Sequence, residues 1–375
     1  MTTTATAKSR LLTALRIVPA AFLLAGVISS APSALATGCH TPASQIQVNG
    51  GTSRNTTNVT ANANGGTAAA NAKGGDDNVA IGLLGNAAAG NGGTADARAN
   101  GGTIKLGDIN SGKNTGNVIQ VGKPKLVCGK SSRLVVNGGT ARNETNVNLS
   151  ANGGTATSNA KGGDDNVAVG LLGQAAAGNG GTAKSQANGG SITLGDINSG
   201  NNTGNVIAVG GGSGYVDVNG GTSRNETNID LNANGGTATS NANGGDDNTA
   251  VGIGGNAAAG NGGNASSEAN GGTIEVGDIN SGGNVGNVIE VGSTTGGGQI
   301  DGGTSSNETN IDLSANGGTA ESNANGGDDN TAVGVGGNAA AGNGGNASSE
   351  ANGGSIEVGD VNSGNNTGKV IEVGN

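Results

Sequence analysis

Short segments in which apolar and polar residues alternate recur along the chain, separated by turns rich in Gly, Asn and Asp. Ile104 and Leu106 flank Lys105, and Ile119 and Val121 flank Gln120. The arrangement returns at Ile192/Leu194 with Ile207/Val209, at Ile274/Val276 with Ile289/Val291, and at Ile356/Val358 with Ile371/Val373; the two pairs are always 15 residues apart. A period of two marks a β-strand with one buried and one solvated face. The central residue drifts (Lys105, Thr193, Glu275, Glu357) while its neighbours stay aliphatic, so the aliphatics are expected to face inward. Other segments offer smaller side chains, such as Val147, Leu149 and Ala151, or Ala320, Ser322 and Ala324. Small inward residues let two β layers approach closely.

These segments belong to four tandem copies of 74 residues: 49–122, 137–210, 219–292 and 301–374. They align without gaps and are joined by linkers at 123–136, 211–218 and 293–300. A shorter spacing lies inside each copy, where a Gly-bearing turn recurs about every nine residues. That spacing fits the rungs of a β-solenoid or β-roll. Asn-Gly between alternating runs is equally a hairpin signal. The expected fold is therefore all-β: a repetitive β-solenoid-like array of four repeats, with a stacked β-hairpin meander as the alternative.

Composition thins the expected core. The chain of 375 residues has 80 Gly, no Trp, one Tyr (Tyr215) and one Phe (Phe22). Aromatic side chains normally supply much of a core's buried area, and each Gly loses more chain entropy on ordering than other residues do. A buried aliphatic side chain contributes about 1.5–3 kcal/mol. A few per copy barely offset the ordering of a Gly-rich backbone. One copy alone is expected to be unstable, and stacked copies to share their interfaces. With four Pro and no strict Gly at every third residue, collagen is excluded.

The amino terminus reads as an export signal. Lys8, Arg10 and Arg16 give a basic start, an apolar run follows from Ile17 to Ile28, and Ala34-Leu35-Ala36 forms a small-x-small cleavage site. Residues 1–36 are expected to be a signal-peptide helix and 37–48 a tail ahead of the first repeat. Cleavage leaves 14 basic and 27 acidic residues, a formal net charge of −13. That balance disfavours nucleic acid and anionic membranes as partners. No second apolar stretch is long enough to span a bilayer, so no transmembrane segment is expected after cleavage. Cys39 and Cys128, both outside the repeats, are a candidate disulfide in an oxidising compartment. The alternative is a lipid on Cys39, because Ala36-Thr37-Gly38-Cys39 resembles a bacterial lipoprotein processing site.

Catalytic chemistry finds no footing. The only His is His40, so no Ser/His/Asp or Cys/His set can be built from the repeats. The absence of sugar-stacking aromatics argues against glycosidase action. Calcium is the main chemical alternative. Asp76/Asp77, Asp164/Asp165, Asp246/Asp247 and Asp328/Asp329 each place two carboxylates in a Gly-rich turn, and oxygen-rich flexible turns suit Ca²⁺. The nine-residue spacing resembles the calcium-binding nonapeptide of secreted RTX proteins, although G-G-x-G-x-D is not met. Gly107 to Gly112 resembles only the start of an EF-hand loop. Asp and Asn also cap their own turns, which needs no metal.

Asp77-Asn78-Val79-Ala80-Ile81-Gly82 and Ala87-Ala88-Ala89-Gly90 resemble strings in the head domains of trimeric autotransporter adhesins. The likeness covers under a quarter of each copy, Asp77 stands where that pattern has Asn, and nothing matches that family's anchor or stalk. Gly-Gly-Thr recurs at Thr52, Thr67, Thr94 and Thr103, a weak pointer to ice binding. Asn-x-Ser/Thr sequons such as Asn55, Asn58, Asn143 and Asn225 are common. The expected function is a secreted or surface-attached, non-enzymatic structural and adhesive protein: a spacer, coat or interaction surface. No cofactor is expected, and the partner is another surface, a protein, or a further copy joined through stacked edges. A calcium-dependent binding module and an ice- or surface-binding protein are the alternatives.

Overall fold

The structure, a computed structural model, describes residues 4–6, 45–123, 132–342 and 344–374. Its first ten strands are β1 (Thr4–Thr6), β2 (Gln45–Asn49), β3 (Thr52–Ala63), β4 (Thr67–Lys73), β5 (Val79–Leu83), β6 (Ala87–Ala89), β7 (Thr94–Ala99), β8 (Thr103–Leu106), β9 (Ile109–Asn110) and β10 (Val118–Val121). Strands β2–β10 recur in each later copy. Every one pairs in parallel with its own equivalent, as β3 does with Thr140–Ala151, then Thr222–Ala233, then Thr304–Ala315. The partner lies 88 residues on from the first copy and 82 thereafter. One copy with its linker is thus one layer, and each sheet holds one strand from each of four layers. Strand β1 adds to the first-layer edge of the β7 sheet.

This β-solenoid-like stack corrects two expectations. The nine-residue spacing does not mark rungs; it marks strands placed end to end within one layer. A rung must stack apolar on apolar and polar on polar, and a one-residue slip would turn every side chain to the wrong face. Only whole copies match well enough at every position. The hairpin alternative fails because every strand pairing found among the described residues is parallel. Residues assigned to the tail and linkers also supply strands: β2, Arg133–Asn137, Tyr215–Asn219 and Gly298–Asp301 form one sheet. The candidate disulfide of Cys39 and Cys128 lies outside the described residues, as do residues 7–36 of the expected signal peptide.

Within a layer the chain runs out through β2–β5 and returns through β6–β10. The two arms face each other across a thin interior that is divided into four clusters, not one continuous seam. Val48 packs with Ile119 and Val121, and Val59 and Ala63 with Ile104 and Ile109. Further along, Ala68 and Ala70 meet Ala95, Ala97 and Ala99, and Ala80 meets Ala87 and Ala89. The flanking aliphatics read from the sequence are buried in the second and third copies; in the first, Ile104 and Ile119 are buried and Leu106 and Val121 partly so, while Ile356, Ile371 and Val373 of the fourth are exposed.

Asn-Gly-Gly punctuates the arms where they touch. Gly66 N donates to Asn100 O in its own layer, and Gly102 N donates to Asn152 O in the next. The zigzag continues from Gly154 to Asn188, Gly190 to Asn234, Gly236 to Asn270 and Gly272 to Asn316. Backbone meets backbone here, and a Cβ on Gly102 or Gly190 would overlap the carbonyl oxygen of Ala63 or Ala151.

Stacked asparagines complete the fold. Asn166 and Asn248 are fully buried; each donates its Nδ2 and its backbone N–H to the Oδ1 of the equivalent Asn in the next layer, at 2.9–3.0 Å. Asn205 does the same to Asn287 and also reaches Gly220 O at 2.9 Å. A carboxamide carries both a donor and an acceptor, so identical residues can bond in an unbroken column. Each such bond contributes on the order of 1 kcal/mol net.

Two glycines test the crossing. Gly190→Ala forces a methyl into the opposite arm and is expected to destabilise by about 1–3 kcal/mol. Gly107 meets nothing within 4 Å, so Gly107→Ala should be neutral or slightly stabilising, as relief of chain entropy predicts. Thermal and chemical denaturation of the two variants read the difference.

Candidate interaction surface

The outward arm ends in β5, where the usual burial rule is reversed. Ala80 and Gly82 face inward toward Ala87 and Ala89, while Val79, Ile81 and Leu83 face out. The tip is too narrow for more: a Cβ on Gly82 would already crowd Gly85 O and the Asn86 backbone. Large side chains must therefore point to solvent. Val79, Ile81, Leu83 and Leu84 are 69–80% exposed. Their equivalents lie in register in the other layers: Val167, Val169 and Leu171, then Val251 and Ile253, then Val333 and Val335. Each column gains some contact between layers, yet a contiguous aliphatic face remains open to water. Such patches on soluble proteins mark contact surfaces.

Backbone strain strengthens that assignment. Leu84 and Leu172 turn the tip with φ of +60° and +54°. A bulky L-residue in the left-handed region is disfavoured by about 1–2 kcal/mol. Layers three and four use Gly254 and Gly336 at this position, with φ of +73° and +78°. Glycine would serve the turn in every layer, but the first two display leucine, and Leu172 is 67% exposed.

Beside the tip lies the acidic corner. The first Asp of each pair caps the turn of a neighbouring layer: Asp164 N donates to Asp76 Oδ1, Asp246 N to Asp164 Oδ1, and Asp328 N to Asp246 Oδ1, each at 2.9 Å. The second Asp (Asp77, Asp165, Asp247 and Asp329) sits at φ of 50–54°, a conformation Asp tolerates in turns. Lysines thread the column. Lys73 Nζ is 2.9 Å from Asp76 and 3.0 Å from Asp164; Lys161 Nζ is 3.2 Å from Asp164 and 2.7 Å from Asp246. Layers three and four carry Asn243 and Asn325 at the lysine position.

These contacts shift the acids. Asp76 is held below the ordinary carboxylate value by the Asp164 N–H and then by Lys73. Asp246 is held down by Lys161 and then by the Asp328 N–H. Burial pushes Asp164 up, but the Asp246 N–H and both lysines outweigh it and the net shift is downward. Asp247 moves the other way, through burial and then its stacked neighbours Asp165 and Asp329.

The eight aspartates predicted as metal ligands thus form two columns, not four separate cups. Among the described residues no group of three or more His, Cys, Asp or Glu is placed to hold a metal ion. The Gly107–Gly112 stretch likewise builds a turn ladder, with Asp196 N on Asp108 and Asp278 N on Asp196. Thr67, Thr155, Thr237 and Thr319 stack in one exposed column, flanked by inward Ala. Asn143 and Asn225 are buried in a ladder, so those two sequons are closed to modification. No helix among the described residues is long and apolar enough to cross a membrane.

Comparison with known proteins adds no relative: no protein family, no curated protein and no solved structure matches the chain.

The aliphatic tip went unrecognised in the sequence because a period of two separates two faces without saying which is buried. The available signal was the company of Val79, Ile81 and Leu83: their alternates are only Ala and Gly, and the facing strand is Ala-Ala-Ala.

The charge column gives a pH prediction. A carboxyl with a depressed folded pKa contributes stability that is present above its ordinary value of 3.8 and lost as pH falls from there through its lowered folded value. The melting temperature should therefore fall as pH drops below about 4. Asp247 opposes this, since its raised pKa favours the folded state on acidification. Lys161→Gln should flatten the acid dependence and cost about 0.5–1 kcal/mol at neutral pH, the range of a half-exposed ion pair. Melting curves of both proteins between pH 3 and 7 check it.

Proposed function

We propose that this protein is a secreted or surface-attached, non-enzymatic structural and adhesive repeat protein that makes contact through the aliphatic tip of its layers. The observation that carries the reading is the open face of β5 and its three equivalents, where strained leucines are displayed in water. The stack behind it serves as a spacer and scaffold. The described interior is filled by carboxamide ladders and aliphatics, which supports a structural role, and the leader read at 1–36 supports export. The occupant of the tip is an apolar surface, because the face offers branched aliphatics and no charge. The calcium alternative is not favoured: in layers one and two the aspartate column already has lysines between its carboxylates. Ice binding is weakened because two threonines lie side by side only in layers two and three (Thr155/Thr157 and Thr237/Thr239), with Ala69 and Glu321 at the second position in layers one and four.

The test separates display from stability. Leu84→Gly with Leu172→Gly relieves two left-handed strains, so the double variant should melt at the same or a higher temperature. It should bind octyl-coated or polystyrene beads more weakly, by on the order of tenfold, through the loss of two apolar contacts. Equal retention would refute the tip as the contact surface. A β-type far-UV circular dichroism spectrum should persist in chelator. A spectrum that collapses, then returns with calcium, would transfer the reading to a calcium-dependent module.

A further inference from the structure

We infer that copies of this protein stack head to tail, the first layer of one on the fourth layer of another, in the same parallel register that joins the layers within a chain. This rests on the export reading above. Among the described residues the fourth layer repeats the inner ones and is the outermost at its end of the stack. Ile356 is 45% exposed where its third-layer equivalent Ile274 is 2%. The polar ladders are also left open in matching senses. Asn310 and Asn352 donate to Asn228 and Asn270, so their carboxamide oxygens are the last acceptors. At the other end Asn58 and Asn100 accept from Asn146 and Asn188, so their amide groups are the first donors.

Charge selects the direction and the partner. The first copy carries five basic and four acidic residues, the fourth one basic and ten acidic. Continuing the register brings Glu350, at the end of the column Arg98–Gln186–Glu268–Glu350, next to Arg98 of the added copy. It likewise brings Glu357, at the end of Lys105–Thr193–Glu275–Glu357, next to Lys105. Two fourth layers would instead oppose net charges of the same sign. Some ladders do not continue: Lys369 stands at the end of the buried column Asn117–Asn205–Asn287, and Asp301 at the end of Asn49–Asn137–Asn219. The columns Asn58–Asn146–Asn228–Asn310 and Asn100–Asn188–Asn270–Asn352 reach the edge intact. A heterologous contact of this kind does not close on itself and gives linear assemblies. Strand β1 lies on the β7 edge with Thr6 opposite Arg98, and it belongs to the leader that export removes.

The experiment uses the secreted protein, with its amino terminus fixed by mass spectrometry, in sedimentation velocity and negative-stain electron microscopy. Concentration-dependent linear particles are expected, growing in steps of roughly 19 Å, four layers at the β-strand spacing. Glu350→Lys with Glu357→Lys should abolish them while leaving the circular dichroism spectrum unchanged. Adding Arg98→Glu and Lys105→Glu to the same chain should restore them. The charge-reversed variant keeps a normal first layer, so a small molar fraction should cap wild-type particles and shorten them. A product that stays a single copy at every concentration, or assembles equally well with reversed charges, overturns the stacking. So does a discrete dimer lost with Ile81→Asn, which would place self-association at the tip. Charge-dependent assembly of a product that begins at Met1 overturns only the export reading.

Discussion

The described layers follow from one constraint: each strand residue sits one strand spacing, about 4.8 Å, from its own equivalent in the next copy. A residue type is admissible only if it tolerates its own kind at that distance. Aliphatics and alanines do, because like packs on like. Asparagine does, because its amide donates to the oxygen above while its oxygen accepts from below, as in Asn78–Asn166–Asn248–Asn330. Charged residues do so only with help. Arg54, Arg142 and Arg224 form one column of like charge, and each reaches a glutamate of the next layer (Glu144, Glu226, Glu308) at 2.8–3.1 Å. The lysines of the aspartate corner play the same part. The abundance of Gly and Asn is thus a consequence of stacking, not a sign of a disordered coat.

The second constraint is thinness, and it decides what faces outward. Where Asn-Gly-Gly meets Asn-Gly-Gly the arms touch backbone to backbone. Between such contacts the interior has room for Val, Leu and Ile opposite one another, or only for Ala opposite Ala. At the tip the Ala-only interior expels every larger side chain. The aliphatic surface is therefore built by the same geometry that builds the core. A wider fold would have buried Val79, Ile81 and Leu83; this one cannot.

Much of this was legible in the sequence. The four copies, the all-β class, the buried aliphatics and the solvated central residues all follow from alternation and from what drifts between copies. The size of the rung did not follow, because a nine-residue turn spacing fits a small coil as well as the straight segments of a large one. What decides is the match of unlike strands: β6 with its Ala-Ala-Ala cannot stack in register on Thr-Ile-Lys-Leu of β8, but it stacks on its own equivalents without mismatch. The linker strands were hidden for a similar reason. Gln45–Asn49 and Gly298–Asp301 share few residues, since an edge-facing column needs only backbone pairing and a compatible inward residue, Val48 or Ile300.

The stack also has a direction that its charges record. Arg54, Arg142 and Arg224 reach forward to the glutamate of the following layer, and Lys73 and Lys161 of the Asp column reach forward to the following aspartate. The arginine–glutamate series has a base in every layer but the last and an acid in every layer but the first: Thr56 stands in the first layer where the others have glutamate, and Ser306 in the fourth where the others have arginine. The aspartate column carries its lysines only in the first two layers. Basic residues accordingly gather toward the first layer and acidic ones toward the fourth. The leucines at the turn lie in the first two layers as well. The end that carries the bases therefore also carries the most apolar part of the tip, and the acidic end carries glycine at that turn. A flat array of identical layers would present the same surface at any height. This one differs from end to end, so under the proposed stacking an assembly would keep one orientation relative to whatever its tip touches.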